Sequence, residues 1–194
     1  MSVPFFNYIE EFVLDYRISH QKLSGVYHTE YEQLLGTNPV QSSDYPIIRS
    51  AMQEIGKEDT VIDVGCGMGR FIGYLSLRRF NGRLIGIEID PTYAQFCMHL
   101  FRNKPQVQIK CQDAVCIADT FPEDSVLYLY NPFPAKLLDS FLSKANGKKI
   151  IYSNCIEKDV FTKHPQWEMQ KNYYSSLSDG TPVEMAVFRH KAKI

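Results

Sequence analysis

The chain lacks any apolar run approaching the ~18 residues that cross a bilayer, and its charged residues, 22% of the total, are split almost evenly between the two signs. No membrane role is expected. The first residues, Met1-Ser2-Val3-Pro4-Phe5-Phe6, carry no basic region and soon reach Glu10 and Glu11. This argues against a secretory leader and makes a cytoplasmic location the expectation. Five cysteines, Cys66, Cys97, Cys111, Cys116 and Cys155, form no C-x-x-C pair and are odd in number, so neither a disulfide framework nor a zinc site is expected. His20, His28, His99, His164 and His190 show no metal-ligand spacing either, and no metal is expected. A net charge of −1 offers polyanions no broad attraction, so a nucleic acid would have to be held by a local patch. Basic residues gather at Arg78, Arg79 and Arg83 and at His190, Lys191 and Lys193. A solvated face explains each cluster more simply.

The 194 residues, 44% of them hydrophobic, are enough for one domain that buries roughly two-thirds of its unfolded surface. The stretch that organises it is Val61-Ile62-Asp63-Val64-Gly65-Cys66-Gly67-Met68-Gly69-Arg70. It reads as a buried strand ending at a carboxylate, followed by a glycine turn into a helix. Alternating glycines let a ligand approach the backbone at the carboxyl end of a central strand, and a Cβ at Gly65 or Gly67 would stand where that ligand belongs. The G-x-G-x-G spacing brings the third glycine one residue earlier than in the dinucleotide fingerprint G-x-G-x-x-G. Asp63 just ahead of the loop disfavours a phosphate and suits a cationic group. On this stretch alone, a strand-to-helix turn without a ligand is an equal alternative.

With its acid and glycines, the stretch resembles the first motif of class I S-adenosylmethionine-dependent methyltransferases. The resemblance covers about Val61 to the C-terminus. It implies that Asp63, Gly65, Cys66, Gly67 and Gly69 form the cofactor loop, with Asp63 reaching the methionine end or capping the turn.

Phe5, Ile9, Phe12, Val13 and Tyr16 recur at helical spacing, predicting an amphipathic helix that caps the domain. Residues 19–42, with Tyr27, His28, Tyr31, Thr37, Asn38 and Pro39, read as a lid or substrate-facing segment, or as tyrosines packed with wet hydroxyls. A helix is expected from Asp44 to Gly56, with Pro46 in its first turn. Strands are expected near 61–64, 83–90, 107–110, 125–130 and 149–153, with helices after the first, second and fourth. Such alternation requires parallel strands and right-handed crossovers. Trp167–Tyr174 and Pro182–Arg189, turning at Asp179-Gly180, should form a hairpin. The expected fold is a doubly wound, mostly parallel seven-stranded α/β sheet with helices on both faces and a C-terminal antiparallel hairpin. Residues 1–56 would form a helical cap on the same domain, and 57–194 the methyltransferase-like part.

Glu88 lies at the end of the second strand, a little past twenty residues from the glycines, where a carboxylate accepts from both ribose hydroxyls. The resemblance further implies adenine contacts from Ile89, Asp113 and the Ala114 amide, and S-adenosylmethionine as cofactor. Asn131-Pro132-Phe133-Pro134 is similar to the N-P-P-[YF] motif of amino-directed methyltransferases. That similarity gives Asn131, Pro132 and Phe133 a catalytic, acceptor-orienting role and sets Asn131 beside the cofactor. The aromatic stands one place early, and a rigid strand-ending turn is the competing reading. The expected activity is methyl transfer to an acceptor that the sequence leaves open: a small molecule, protein or nucleic acid, with a nitrogen of a base or amide favoured. Competing classes are an NAD(P)-dependent oxidoreductase and a non-catalytic nucleoside-binding protein.

Overall fold

Val61-Ile62-Asp63-Val64 and Leu84-Ile85-Gly86-Ile87-Glu88 are buried at every position, as central parallel strands covered on both faces must be. The computed structural model describes residues 5–192, with side chains from residue 9. Its N-terminal part contains α1 (Phe5–Ser19), then β1 (Val26–Tyr27), α2 (Glu30–Leu35), β2 (Val40–Gln41) and α3 (Tyr45–Met52). Strands and helices then alternate as β3 (Val61–Val64), α4 (Arg70–Leu77), β4 (Leu84–Glu88), α5 (Pro91–Leu100), β5 (Val107–Cys111), α6 (Ala114–Ile117), β6 (Val126–Tyr130), α7 (Ala135–Lys144) and β7 (Lys149–Ser153). The hairpin β8 (Trp167–Ser176) and β9 (Pro182–His190) closes the chain.

The large sheet has the order β5-β4-β3-β6-β7-β9-β8. Its first five strands are parallel, whereas β9 runs antiparallel to both β7 and β8. Ile62, Val64, Ile85, Ile87, Leu127 and Leu129 pack beneath α6 and α7 on one face. Val61, Leu84, Val126 and Tyr128 pack beneath α3, α4 and α5 on the other. Strand order reverses between β3 and β6, and the carboxyl edge at such a switch point is where open α/β sheets hold ligands.

The sheet and its closing hairpin follow the sequence expectation; three local features do not. β1 and β2 pair as a small antiparallel ribbon inside the segment read as a lid. Helix α3 ends at Met52 rather than Gly56, because Gln53, Glu54 and Ile55 turn back on carbonyls three residues earlier. The third difference is the orientation of α1. Its apolar stripe was expected to face inward, yet Ile9, Phe12, Val13 and Tyr16 are exposed; the Phe5 side chain lies outside the described ones.

A buried ion pair turns the helix. Asp15 takes Arg70 Nε at 2.8 Å and Nη2 at 3.0 Å, together with the Tyr45 hydroxyl at 2.6 Å and the Leu23 amide at 2.9 Å. Asp15 and Arg70 are 2% and 1% exposed. Leaving either charge unpaired in that setting is very costly, so α1 presents Leu14, Asp15 and Ile18 to the domain. Among the described residues no helix is long and apolar enough to cross a membrane.

Candidate cofactor cleft

The loop after β3 spends its amides on the protein itself. Gly65 N–H and Cys66 N–H both donate to Ile87 O at 2.9 Å, and Gly69 N–H donates to Cys66 O at 2.8 Å. Gly67 N–H donates to Glu88 Oε2 at 2.7 Å. A pyrophosphate cradle needs such amides free and aimed at the anion; here a carboxylate already occupies one of them. Gly67 has φ +50°, and an added Cβ would stand 2.9 Å from Val40 Cγ1. Close approach at this glycine therefore comes from the N-terminal segment.

Three carboxylates surround the loop. Glu88 is 3% exposed, and its Oε1 accepts from Asp90 N–H at 2.9 Å. Burial raises its pKa, opposed by those amide hydrogen bonds. Lone pairs remain on both oxygens for a ligand's hydroxyls. Asp63 is 5% exposed and, among the described residues, has neither a hydrogen-bond partner nor an ion pair. Burial first, and then the Glu88 charge, push its pKa well above the ordinary carboxylate range. A buried carboxylate without a cation favours a ligand that supplies one. Asp113 caps α6 by accepting Val115 N–H at 2.8 Å and the Cys116 thiol at 3.3 Å. Ala114 opens that helix, where amides have no intrahelical partner.

The cleft itself runs along the carboxyl edge of β3, β4 and β6. Of the residues singled out from sequence, Gly65, Glu88, Ile89, Asp113, Ala114, Pro132 and Phe133 line it. Asp63, Cys66, Gly67, Gly69 and Asn131 stand behind that lining. The Cys66 side chain packs near Gly86 in the core, and Cys97 and burial raise its thiol pKa. Phe133 is buried and packs on Phe141 with ring centroids 5.3 Å apart. Among the described residues no group of three or more His, Cys, Asp or Glu is placed to hold a metal ion.

The roof comes from residues that carried no motif. Thr37, Asn38, Pro39, Val40 and Gln41 line the cleft opposite Glu88 and Asp113. Asn38 ties this roof to the end of β6: its Nδ2 donates to Asn131 O at 2.7 Å and its N–H to Pro132 O at 3.4 Å. Of the residues named in this segment from sequence, Thr37, Asn38 and Pro39 line the cleft, whereas Tyr27 packs against Tyr93. Tyr152, whose hydroxyl donates to Asn131 Oδ1 at 2.8 Å, sits in a plain apolar strand, and no sequence signal marked it.

Residues 62–128 match the methyltransferase domain family. The tRNA (guanine-N(7)-)-methyltransferase of Mycoplasmopsis synoviae is 25% identical over 135 residues, 61% of this chain and 66% of that protein. The Mycoplasma genitalium protein of the same name is 26% identical over 99 residues, covering 49% and 47%. The chain thus spans less than two thirds of the length of these curated relatives. Mycoplasma capricolum TrmK, solved with S-adenosylhomocysteine, superimposes with a TM-score of 0.61 at 8% identity over 74% of this chain and 67% of that one, a likeness of fold. The strand order, the antiparallel hairpin after β7 and the matched region agree: the fold is the Rossmann-like one of the S-adenosylmethionine-dependent methyltransferases, and residues 62–128 are similar to the methyltransferase domain family.

Proposed function

We propose that this protein transfers a methyl group from S-adenosylmethionine to a base of an RNA. The observation that carries the cofactor half is the convergence of buried carboxylates on a loop with few amides left for a phosphate. Glu88 takes the ribose hydroxyls, Ile89, Asp113 and the Ala114 amide take the adenine, and Asp63, buried behind the lining, supplies negative charge toward the ammonium of the methionine end. Gly65, Gly67 and Gly69 shape the loop, and Cys66 contributes its backbone. A loop whose Gly67 amide is capped by Glu88 suits a nucleoside without phosphates and disfavours a nicotinamide dinucleotide. When bound, the cofactor supplies a methyl on an activated sulfonium, so the protein's task is alignment. Pro132 and Phe133 line the cleft on the acceptor side, and Asn131 stands behind them, held by the Tyr152 hydroxyl.

RNA is the acceptor favoured by the two tRNA methyltransferase relatives. Calorimetric titration with S-adenosylhomocysteine, with NAD(H) in parallel, tests the cofactor. Micromolar binding of the former alone is expected; binding of NAD(H) alone would overturn the reading. Incorporation of methyl label from S-adenosylmethionine into bulk tRNA, and not into protein, tests the acceptor.

A further inference from the structure

A polyanion finds no cation in the cofactor cleft. Among the described residues the cleft's lining holds the carboxylates Glu88, Asp90 and Asp113 and no lysine, arginine or histidine. Neutralised phosphates supply a large share of any protein's hold on a nucleic acid, so an acceptor RNA needs positive charge elsewhere. The opposite end of β4 offers it. Lys57, Arg78 and Arg79 line a second cavity of about 450 Å³, in which Ile55, Leu75 and Phe80 supply apolar wall and no acidic side chain takes part. All three cations are exposed, and none has an ion pair among the described residues. In the adjoining loop, Asp59 takes Lys148 Nζ at 2.7 Å and Glu54 takes Lys171 Nζ at 2.9 Å, while Glu58 is exposed outside the lining. Charges of one sign between low-dielectric walls focus their field on what enters.

We infer that this cavity docks the phosphate backbone of the acceptor RNA on Lys57, Arg78 and Arg79 while the base to be methylated occupies the cleft. The inference rests on the RNA reading above. Asn81 lines the cavity just ahead of β4 and Glu88 ends that strand at the cleft, so the two sites lie at opposite ends of one strand. Fully extended, the chain from Asn81 to Glu88 spans at most about 25 Å, the rise of roughly seven base pairs at about 3.4 Å each. A folded RNA arm covers that distance; a mononucleotide does not.

The way α4 ends favours a binding role over a merely solvated face. Arg79 N–H donates to Ser76 O at 3.2 Å and Phe80 N–H to Leu75 O at 3.1 Å, the paired bonds that close a helix through a left-handed residue. Glycine is the usual occupant of that position, and here it is Arg79, at φ +56°. Cations after the last turn offset the helix dipole, but Arg78 does so without left-handed strain, and Lys57 comes from a separate loop. A charged side chain kept where glycine fits better marks a position at which the charge is used.

The test is binding of a labelled, unmodified tRNA transcript, followed by fluorescence anisotropy over a range of salt concentrations. Lys57→Gln, Arg78→Gln and Arg79→Gly combined should raise the RNA Kd at least about 10-fold near about 0.1 M salt and flatten the slope of log K against log salt by about 2–3, with the S-adenosylhomocysteine Kd held within about twofold. Arg79→Gly alone should flatten the slope by about 1 with Tm unchanged or raised, since glycine relieves the left-handed residue. A merely structural Arg79 would leave RNA binding unmoved. Equal affinity and slope in the combined variant and the wild-type protein overturn this inference alone, whereas a wild-type protein that neither binds nor methylates RNA overturns the RNA reading and this inference with it. Lys136→Gln, in the first turn of α7 beside the cleft residue Leu137, is the comparison: a flattened slope there and none at the cavity would place the backbone at the cleft rim and overturn the assignment.

Discussion

Asp63 carries a cost in the free protein that the bound ligand is expected to remove. Its raised pKa means that the folded state holds the proton more tightly than the unfolded chain does. The corresponding stability is fully present below the ordinary carboxylate value of 3.8 and is lost as pH rises through the raised value. At pH 7 the charge is therefore a penalty. Asp63→Asn should raise Tm at neutral pH by about 2–4 °C for each kcal/mol relieved, with the gain shrinking toward acid. The same variant should bind S-adenosylhomocysteine at least about 10-fold more weakly. Thermal unfolding at two pH values together with calorimetry checks both halves, and a destabilised variant at pH 7 would refute the account. Glu88 is tested differently, since it is satisfied by Gly67 and Asp90 amides even without a ligand. Glu88→Ala should weaken S-adenosylhomocysteine binding about 10–100-fold; unchanged affinity would remove Glu88 from the ribose site.

At the scale of elements, α1 shows what periodicity can and cannot reveal. The apolar recurrence at Ile9, Phe12, Val13 and Tyr16 identified the helix and misassigned its inner face, because the decisive partner, Arg70, lies 55 residues further on. A pair of substitutions separates the two orientations. Asp15→Ala removes the two-point partner of buried Arg70 and leaves it only the longer contacts to Glu11 at 3.4 Å and Asp44 at 3.7 Å, which should cost about 3 kcal/mol; Phe12→Ser on the exposed stripe should stay within about 0.5 kcal/mol. Denaturant unfolding of the two variants measures this directly, and a larger loss at Phe12 would mean that the stripe faces inward. The same reasoning explains the rest of what sequence disclosed. The strands, the glycine loop and the placing of Glu88 and Asp113 are written in contiguous patterns, so they could be read locally. Asn38 and Tyr152 act across separations of 93 and 21 residues, and nothing in their immediate neighbours announces those partners.

For the molecule as a whole, the cleft joins two parts of the chain that are far apart in sequence. Residues 37–41 form one wall and the carboxyl edge of β3, β4 and β6 the other, so a ligand between them should stabilise both together. A ligand at 100 times its Kd adds about 2.7 kcal/mol to stability, which for a chain of this size corresponds to a Tm increase of about 5–11 °C. S-adenosylhomocysteine should produce that shift at pH 7, and NAD(H) at the same concentration should not. The effect should also depend on pH in a definite direction. Asp63 and Glu88 both hold their protons more tightly than free carboxylates because of burial, and each must be ionised to receive the cation or the hydroxyls assigned to it. As pH falls, protonation of these two groups removes the charges that hold the ligand and raises its apparent Kd, which shrinks the ligand-induced shift. Thermal scans with and without S-adenosylhomocysteine across the acid range measure this difference. A shift that stays constant, or grows, as pH falls would mean that neither carboxylate engages the cofactor in its ionised form.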